Sequence, residues 1–308
     1  MALDDSHLQY PNRQYGMDHD RYHWRILANE KPVKWPNGHK LALWINIPLQ
    51  FFPLDQQGIP FKVPGGMTMP YPDMRHFSLR DYGNRVGIYR ILEALDKFNL
   101  TPTFAINAAL VERAPYLMNT IKARGDEVIC HGLHMDALHY GGQNKEDEAQ
   151  VIKQALDTLR ETFEQPINGW LSPARNESEN TPELLVEQGI QYACNWVNDD
   201  MPYPFNTQKG SMWSMPLSNE LEDQFIINNN LHSEASYVEQ TQDACRFLQN
   251  EAEEQGGRIL ALNIHPWLMG QPHRIGYLET LLSFLSQQDI WSASASDILT
   301  CYQDQLTT

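Results

Sequence analysis

Residues 258–265 read RILALNIH, an apolar run that follows Arg258, is broken only by Asn263 and closes on His265. A strand with one wet face alternates apolar and polar residues. A run that stays apolar at odd and even positions is covered on both faces, as in a parallel sheet flanked by helices. Working outward, 39–47 (HKLALWINI), 101–107 (TPTFAIN), 127–131 (EVICH), 168–172, 192–196, 211–217 and 290–295 read as further strands. Helical patterns separate most of them. Ile88, Ile91, Leu92 and Leu95 share one face within 83–98, and 108–124 runs helical up to Gly125. Val151, Ala155, Leu156, Leu159 and Phe163 mark a third helix, 234–254 a fourth, and Leu278, Leu281, Leu282 and Leu285 a fifth. Thr181 is expected to cap a helix with Pro182 at its first position and Gly189 past its end, and the chain is expected to close on a helical turn. About seven strands alternating with helices predict an α/β fold, a single β/α barrel over 39–308, with an open doubly wound sheet as the alternative. Residues 1–38, polar and aromatic without periodicity, read as an N-terminal arm or lid.

Lys and Arg number 23 against 39 Asp and Glu, a net charge of −16. Such a surface repels phosphate backbones and anionic lipid, so neither nucleic acid nor membrane is an expected partner. No apolar run reaches the length of a membrane span. Residues 1–24 lack a basic start, an apolar stretch and a small-residue cleavage site, so no secretory leader is expected. The four cysteines are scattered without a CxxC pair and read as free thiols, which places the chain in a reducing cytoplasm.

In a β/α barrel the working residues sit at the carboxyl ends of the strands. Polar residues that end apolar strands are therefore the candidates: Asn46 with Pro48 and Gln50, Asn107, His131 with His134, the stretch 171–177 with Arg175 and Glu177, Asp199 and Asp200 after another strand, and His265 followed by Trp267. His131 is a proton carrier or substrate orienter, or a core histidine bonded to backbone. Arg175 offers planar donors to a substrate carbonyl or an oxyanion, and otherwise braces its loop with Glu177. Asp199 and Asp200 can hold a histidine, bind substrate N–H groups or split their pKa values so that one is a base; the alternative is turn chemistry. Trp267, Trp196, Trp44, Phe51 and Phe52 would wall a small flat pocket or fill the core. Tyr71–Asp73 and Arg80–Gly83 read as a lid, Arg80 and Arg85 otherwise pairing with surface acids.

The ordered set HGLHMDAL (131–138), GWLSPARNESENTPELLVEQGIQYACNWVNDDMPY (169–203) and LNIHPWLMGQPHR (262–274) resembles the polysaccharide deacetylase (NodB-homology) superfamily. With YPDMRHFSLRDYGNRVGIYRILEALDKFNLTPTFAIN (71–107), it is most similar to the branch of metal-independent allantoinase and cyclic imide hydrolase. The resemblance covers roughly 35–300 and implies a distorted, seven-stranded (β/α) barrel that hydrolyses C–N amide bonds. It also implies a homo-oligomer, a tetramer in that branch, for which the N-terminal arm is a candidate contact. By resemblance His265 is the general acid that protonates the leaving nitrogen, and Arg175 matches an arginine of the branch.

Three positions depart from the metal-dependent pattern. The two acids expected after the first strand are Asn46 and Pro48, and the histidine expected four residues after His131 is Met135. Proline has no ligand atom, an amide is a poor anion substitute, and a thioether is soft for zinc. The expectation is a metal-free, cofactor-free hydrolase of a small imide or ureide, with His131, His265 and Asp200 catalytic and Arg175, Glu177, Asp199, Trp267, Asn46 and Gln50 binding substrate. Two alternatives stand beside it. One is a zinc sugar deacetylase whose site is rebuilt from His131, His134 and His265 or His139; the other is a binding protein without turnover.

Overall fold

The computed structural model describes residues 19–23, 25–29, 31–56 and 72–306. Among the described residues nine strands form one sheet: β1 (Leu41–Leu49), β2 (Pro102–Ile106), β3 (Glu127–Cys130), β4 (Gly169–Trp170), β5 (Tyr192–Ala193), β6 (Tyr203–Thr207), β7 (Gly210–Ser214), β8 (Arg258–Asn263) and β9 (Ile290–Ser292). The order is β6-β7-β5-β4-β3-β2-β1-β8, and every neighbouring pair is parallel except the β6–β7 hairpin. All eight expected segments contain a strand, and seven of them form a continuous parallel run from β7 to β8, curled as a half-barrel. The eighth, β9, lies off that run and pairs with Leu41–Leu43 of β1, below the Ile45–Leu49 segment that pairs with β2. Only β6 arises where a loop was expected. Among the described residues no pairing joins β8 to β6, so the curl stays open.

The strands' two-residue period sorts their side chains into two cores. Leu41, Leu43, Ile45, Ile47 and Leu49 of β1 join Phe104, Ile106, Val128, Cys130, Leu260, Leu262 and Ile264 beneath the helices. Ala42 and Trp44 join Ala105, Ile129, Ile259 and Ala261 inside the curl. Continuing the inner parity to each strand's end reaches Asn46 and Pro48, Asn107, His131, and Asn263 and His265. Side-chain alternation alone brings these polar residues to one mouth.

The helices correct several boundaries. The helix expected from residue 83 begins at Met74, capped by Asp73, whose carboxylate accepts from the N–H groups of Arg75 and His76. It passes through a π-helical turn, Gly83–Gly87, into Ile88–Phe98. That turn lies against Pro266–Met269, the short helix directly after His265. A Cβ on Gly83 would stand 2.6 Å from the Trp267 nitrogen, and one on Gly87 2.1 Å from the Pro266 oxygen. Only glycine permits this approach, so the turn fixes the chain that carries His265. The helix expected over 108–124 is split into Leu110–Arg113 and Pro115–Arg124, because Ala114, before a proline, leaves helical backbone. Thr181 is the first helical residue rather than the cap; its hydroxyl instead donates to Glu148 at 2.5 Å. The closing turn is a full helix, Ala295–Leu306.

Much of the expected arm, residues 1–18, and Tyr71 of the expected lid lie outside the described residues. Tyr22 rests on Tyr203 with ring centroids 5.0 Å apart, and Arg21 pairs with Glu183 at 2.6 Å. Val33 and Trp35, ahead of residue 39, are already buried in the inner core, and the Trp35 indole donates to the Arg258 carbonyl at 2.9 Å. All four cysteines are unpaired. Among the described residues no helix is long and apolar enough to cross a membrane.

Candidate active site

A cavity of about 460 Å³ opens at the carboxyl ends of the strands. Its lining includes Pro48, Gln50, Arg80, His131, Arg175, Glu222, Asn263 and His265. His265 follows β8 by two residues and is 2% exposed. Asp223 binds it twice, through Nδ1 at 2.6 Å and through its backbone N–H at 2.8 Å. With the Nδ1 proton held by Asp223, Nε2 is the atom left for chemistry. Burial pushes the Asp223 carboxyl above its ordinary value, against the pull of His265. An aspartate without exposure is tolerated because both oxygens accept hydrogen bonds.

His131 is held differently. Its Nδ1 donates to the Leu171 carbonyl at 2.7 Å, and its Nε2 lies 3.3 Å from Nε2 of Gln50. Burial lowers its pKa to about 4, with the charges of His265 and Arg175 pulling the same way. At neutral pH it is a neutral imidazole that accepts from Gln50 and turns that amide. Gln50 Oε1 has no hydrogen-bond partner among the described residues.

Asn46 is fully buried just beneath the cavity. Its Nδ2 donates to Asn263 Oδ1 at 2.7 Å, and Asn263 Nδ2 donates to Glu222 Oε2 at 3.0 Å. Arg175 reaches the same carboxylate at 3.4 Å. Its other contacts are the carbonyls of Cys194, at 3.1 Å, and Leu217, at 2.8 Å. The guanidinium, expected to serve substrate, is therefore spent largely on the protein. It is delivered by a turn in which Ala174 and Arg175 both have left-handed φ, 53° and 57°.

Other expected site residues fall elsewhere. Asp199 and Asp200 line a separate pocket with Val197 and Pro216, and Asp200 is exposed. Asp199 accepts from the Met201 N–H at 2.9 Å, the turn chemistry of a loop aspartate. Glu177 is outside the cavity lining; it accepts from Asn195 at 2.6 Å and the Trp196 indole at 3.0 Å, and burial raises its pKa. Trp44 is core, and Trp196 stacks on Phe205 at 3.8 Å. Trp267 lies behind the cavity wall and holds Arg80, whose guanidinium sits 3.7 Å from its ring and 4.6 Å from that of Phe52. Arg80, expected in a lid or else paired at the surface, is 4% exposed and lines the cavity.

Glu222, Asp223, Asn263 and Gln224 were not singled out as site residues, and Arg80 was read only as part of a lid or a surface pair. The adjacent acids of LSNELEDQ (217–224) were the available signal, but no strand or helix period marked which of them turns inward.

The donor chemistry does not fit zinc. The inward positions at the end of β1 carry an amide and a proline, and the cavity adds the Met135 thioether. Among the described residues no three His, Cys, Asp or Glu side chains gather as a metal site. His134 lines another pocket, and His139 pairs with buried Glu148 at 3.1 Å, so the alternative histidine set is not assembled.

Residues 80–193 match the sequence model of the polysaccharide deacetylase family. A Schizosaccharomyces pombe protein named for that family is 23% identical, covering 87% of this chain and 92% of its own. The structure of a probable polysaccharide deacetylase from Pseudomonas aeruginosa PAO1 superposes with a TM-score of 0.81 at 22% identity, covering 91% of this chain and 98% of that one. An allantoinase structure superposes with a TM-score of 0.78 at 22% identity, covering 96% and 98%.

Proposed function

Because the chain carries a polysaccharide deacetylase domain of the NodB type, we propose that it hydrolyses a non-peptide C–N bond in a small cyclic or linear amide, such as an imide or ureide, without a metal. The observation that carries this reading is the Asp223–His265 pair at the wall of a small, amide-lined cavity. Water adds to the substrate carbonyl, and the tetrahedral species collapses as His265 Nε2 gives its proton to the leaving nitrogen. Asp223 orients the ring and steadies its cationic form. Arg80, fixed between Trp267 and Phe52, is the cation at the wall that draws charge onto the carbonyl oxygen.

Gln50, Asn219, Gln224, Asn229 and Asn263 place carboxamides around the cavity. Each offers a donor and an acceptor, matching the alternating C=O and N–H edge of an imide or ureide. A volume of about 460 Å³ suits a single ring better than a polymer. The family name favours a second reading, deacetylation of an amino sugar, although the donor set does not suit the zinc such a site would use. A homo-oligomer, a tetramer by resemblance, is part of the same proposal and is read by light scattering.

The test is a screen of hydantoins, cyclic imides, ureides and N-acetylated amino sugars, run on purified protein alongside elemental metal analysis. Turnover of an imide or ureide that survives chelation supports the reading. Stoichiometric zinc with sugar deacetylation replaces it, and ligand binding without turnover makes the chain a binding protein.

A further inference from the structure

We propose that Glu222 is the general base of this hydrolase, a carboxylate supplied by the loop after β7 where the end of β1 offers only Asn46 and Pro48. The assignment rests on the reading of the cavity as a C–N hydrolase site.

Among the described residues, Glu222 is the one carboxylate lining the cavity. The other acids nearby are committed. Both oxygens of Asp223 are taken by His265, and its side chain has no exposure, against 14% for Glu222. Glu177 is held by Asn195 and Trp196, and Asp199 and Asp200 line a different pocket. His131 has a contact on each ring nitrogen.

The two oxygens of Glu222 are not equivalent. Oε2 takes the Asn263 amide at 3.0 Å and Arg175 at 3.4 Å, while Oε1 stands 3.8 Å from His265 Nε2. One oxygen is anchored and the other faces the proton donor. The anchor depends on Asn46. Because Asn46 donates to Asn263 Oδ1, the Asn263 amide is turned so that its N–H₂ points at Glu222. Arg175 is a positioning residue, bound to Cys194 and Leu217 so that it holds Glu222 without following a substrate.

The step balances within the pair. Glu222 Oε1 removes a proton from water as the water oxygen bonds to the carbonyl carbon. The C–N bond breaks, and its electron pair takes the proton of His265 Nε2. Glu222 then returns its proton to His265, so the net change is addition of water across the C–N bond.

The test uses the full-length protein with succinimide and hydantoin as probes. Replacing Glu222→Gln is expected to lower kcat by roughly 10²-fold or more, with KM within a few-fold of wild type. Formate at high concentration is expected to restore part of the activity of Glu222→Ala but not of Glu222→Gln, whose side chain still fills the space. A purely structural role would yield no such rescue, and thermal melts of each variant report folding separately. A Glu222→Gln enzyme within tenfold of wild type, or Glu222→Ala lacking rescue while folded, overturns the base assignment and leaves the hydrolase reading standing. Wild-type protein that turns over neither probe nor any other amide of the screen overturns both.

Discussion

Asp223 occupies both hydrogen-bonding handles of His265, with Oδ1 2.6 Å from the ring Nδ1 and Oδ2 2.8 Å from the backbone N–H. One carboxylate thus sets both the tautomer of the imidazole and the path of the chain that carries it. The ring has Trp267 edge-on at 6.0 Å and Glu222 at 3.8 Å, leaving little freedom at the atom that meets substrate.

Replacing Asp223→Asn removes the negative charge that steadies a cationic His265 and sets an N–H₂ group against one of its two donors. The expected outcome is a loss of roughly 10³-fold in kcat with a far smaller change in KM. Steady-state kinetics on an imide probe checks it, and a loss confined to KM would refute the role.

Asn46→Asp puts an acid back on β1, yet the expected effect is inhibitory. A carboxylate at 46 cannot donate to Asn263 Oδ1; it would accept from Asn263 Nδ2 and turn the amide away from Glu222. Losing one hydrogen bond to a charged group predicts a fall of about 10- to 100-fold in kcat. Equal or higher activity in this variant would show that the Asn46–Asn263–Glu222 chain is unimportant.

The buried His131 imposes an acid limit on stability. Its folded pKa of about 4 lies below the ordinary 6.5, so between those values the unfolded chain binds a proton that the folded chain does not. Stability therefore falls as pH drops through that window, by about 1.4 kcal/mol per unit and about 3 kcal/mol in all from this residue. His76, likewise lowered to about 4 by burial and by Arg80, acts in the same direction. Urea unfolding at pH 7 and pH 4.5 should show a shallower pH dependence in His131→Gln than in wild type; identical slopes would contradict this.

Gly87→Ala tests the link between the π-helical turn and the catalytic segment. The added Cβ would meet the Pro266 oxygen at 2.1 Å, so helix or turn must move. A loss of about 1–3 kcal/mol is expected, with a lower kcat as His265 shifts. Gly276→Ala, with nothing within 4 Å of the added carbon, is the control and should be neutral or slightly stabilising. Equal melting temperatures for the two variants would remove the argument.

The sequence by itself determined the parallel run of the sheet, though not its edge strand β6, and the alternation that sets the inner face of its strands. A period of two is a local property, so Asn46, His131 and His265 were legible as inward residues at strand ends before any contact was known. Their partners were not. Glu222 and Asp223 lie in a loop and turn without useful periodicity, and Asp199–Asp200 offered the same composition at an equally plausible distance from a strand. Only the tertiary structure chose between them, by setting Asp223 against His265 and Glu222 against Arg175, Asn263 and His265, and by leaving Asp200 exposed. The physical reason is that a strand's facing is fixed by neighbours along its own chain. A loop carboxylate is placed by whichever distant donors compensate its burial, and those meet it only when the chain has folded.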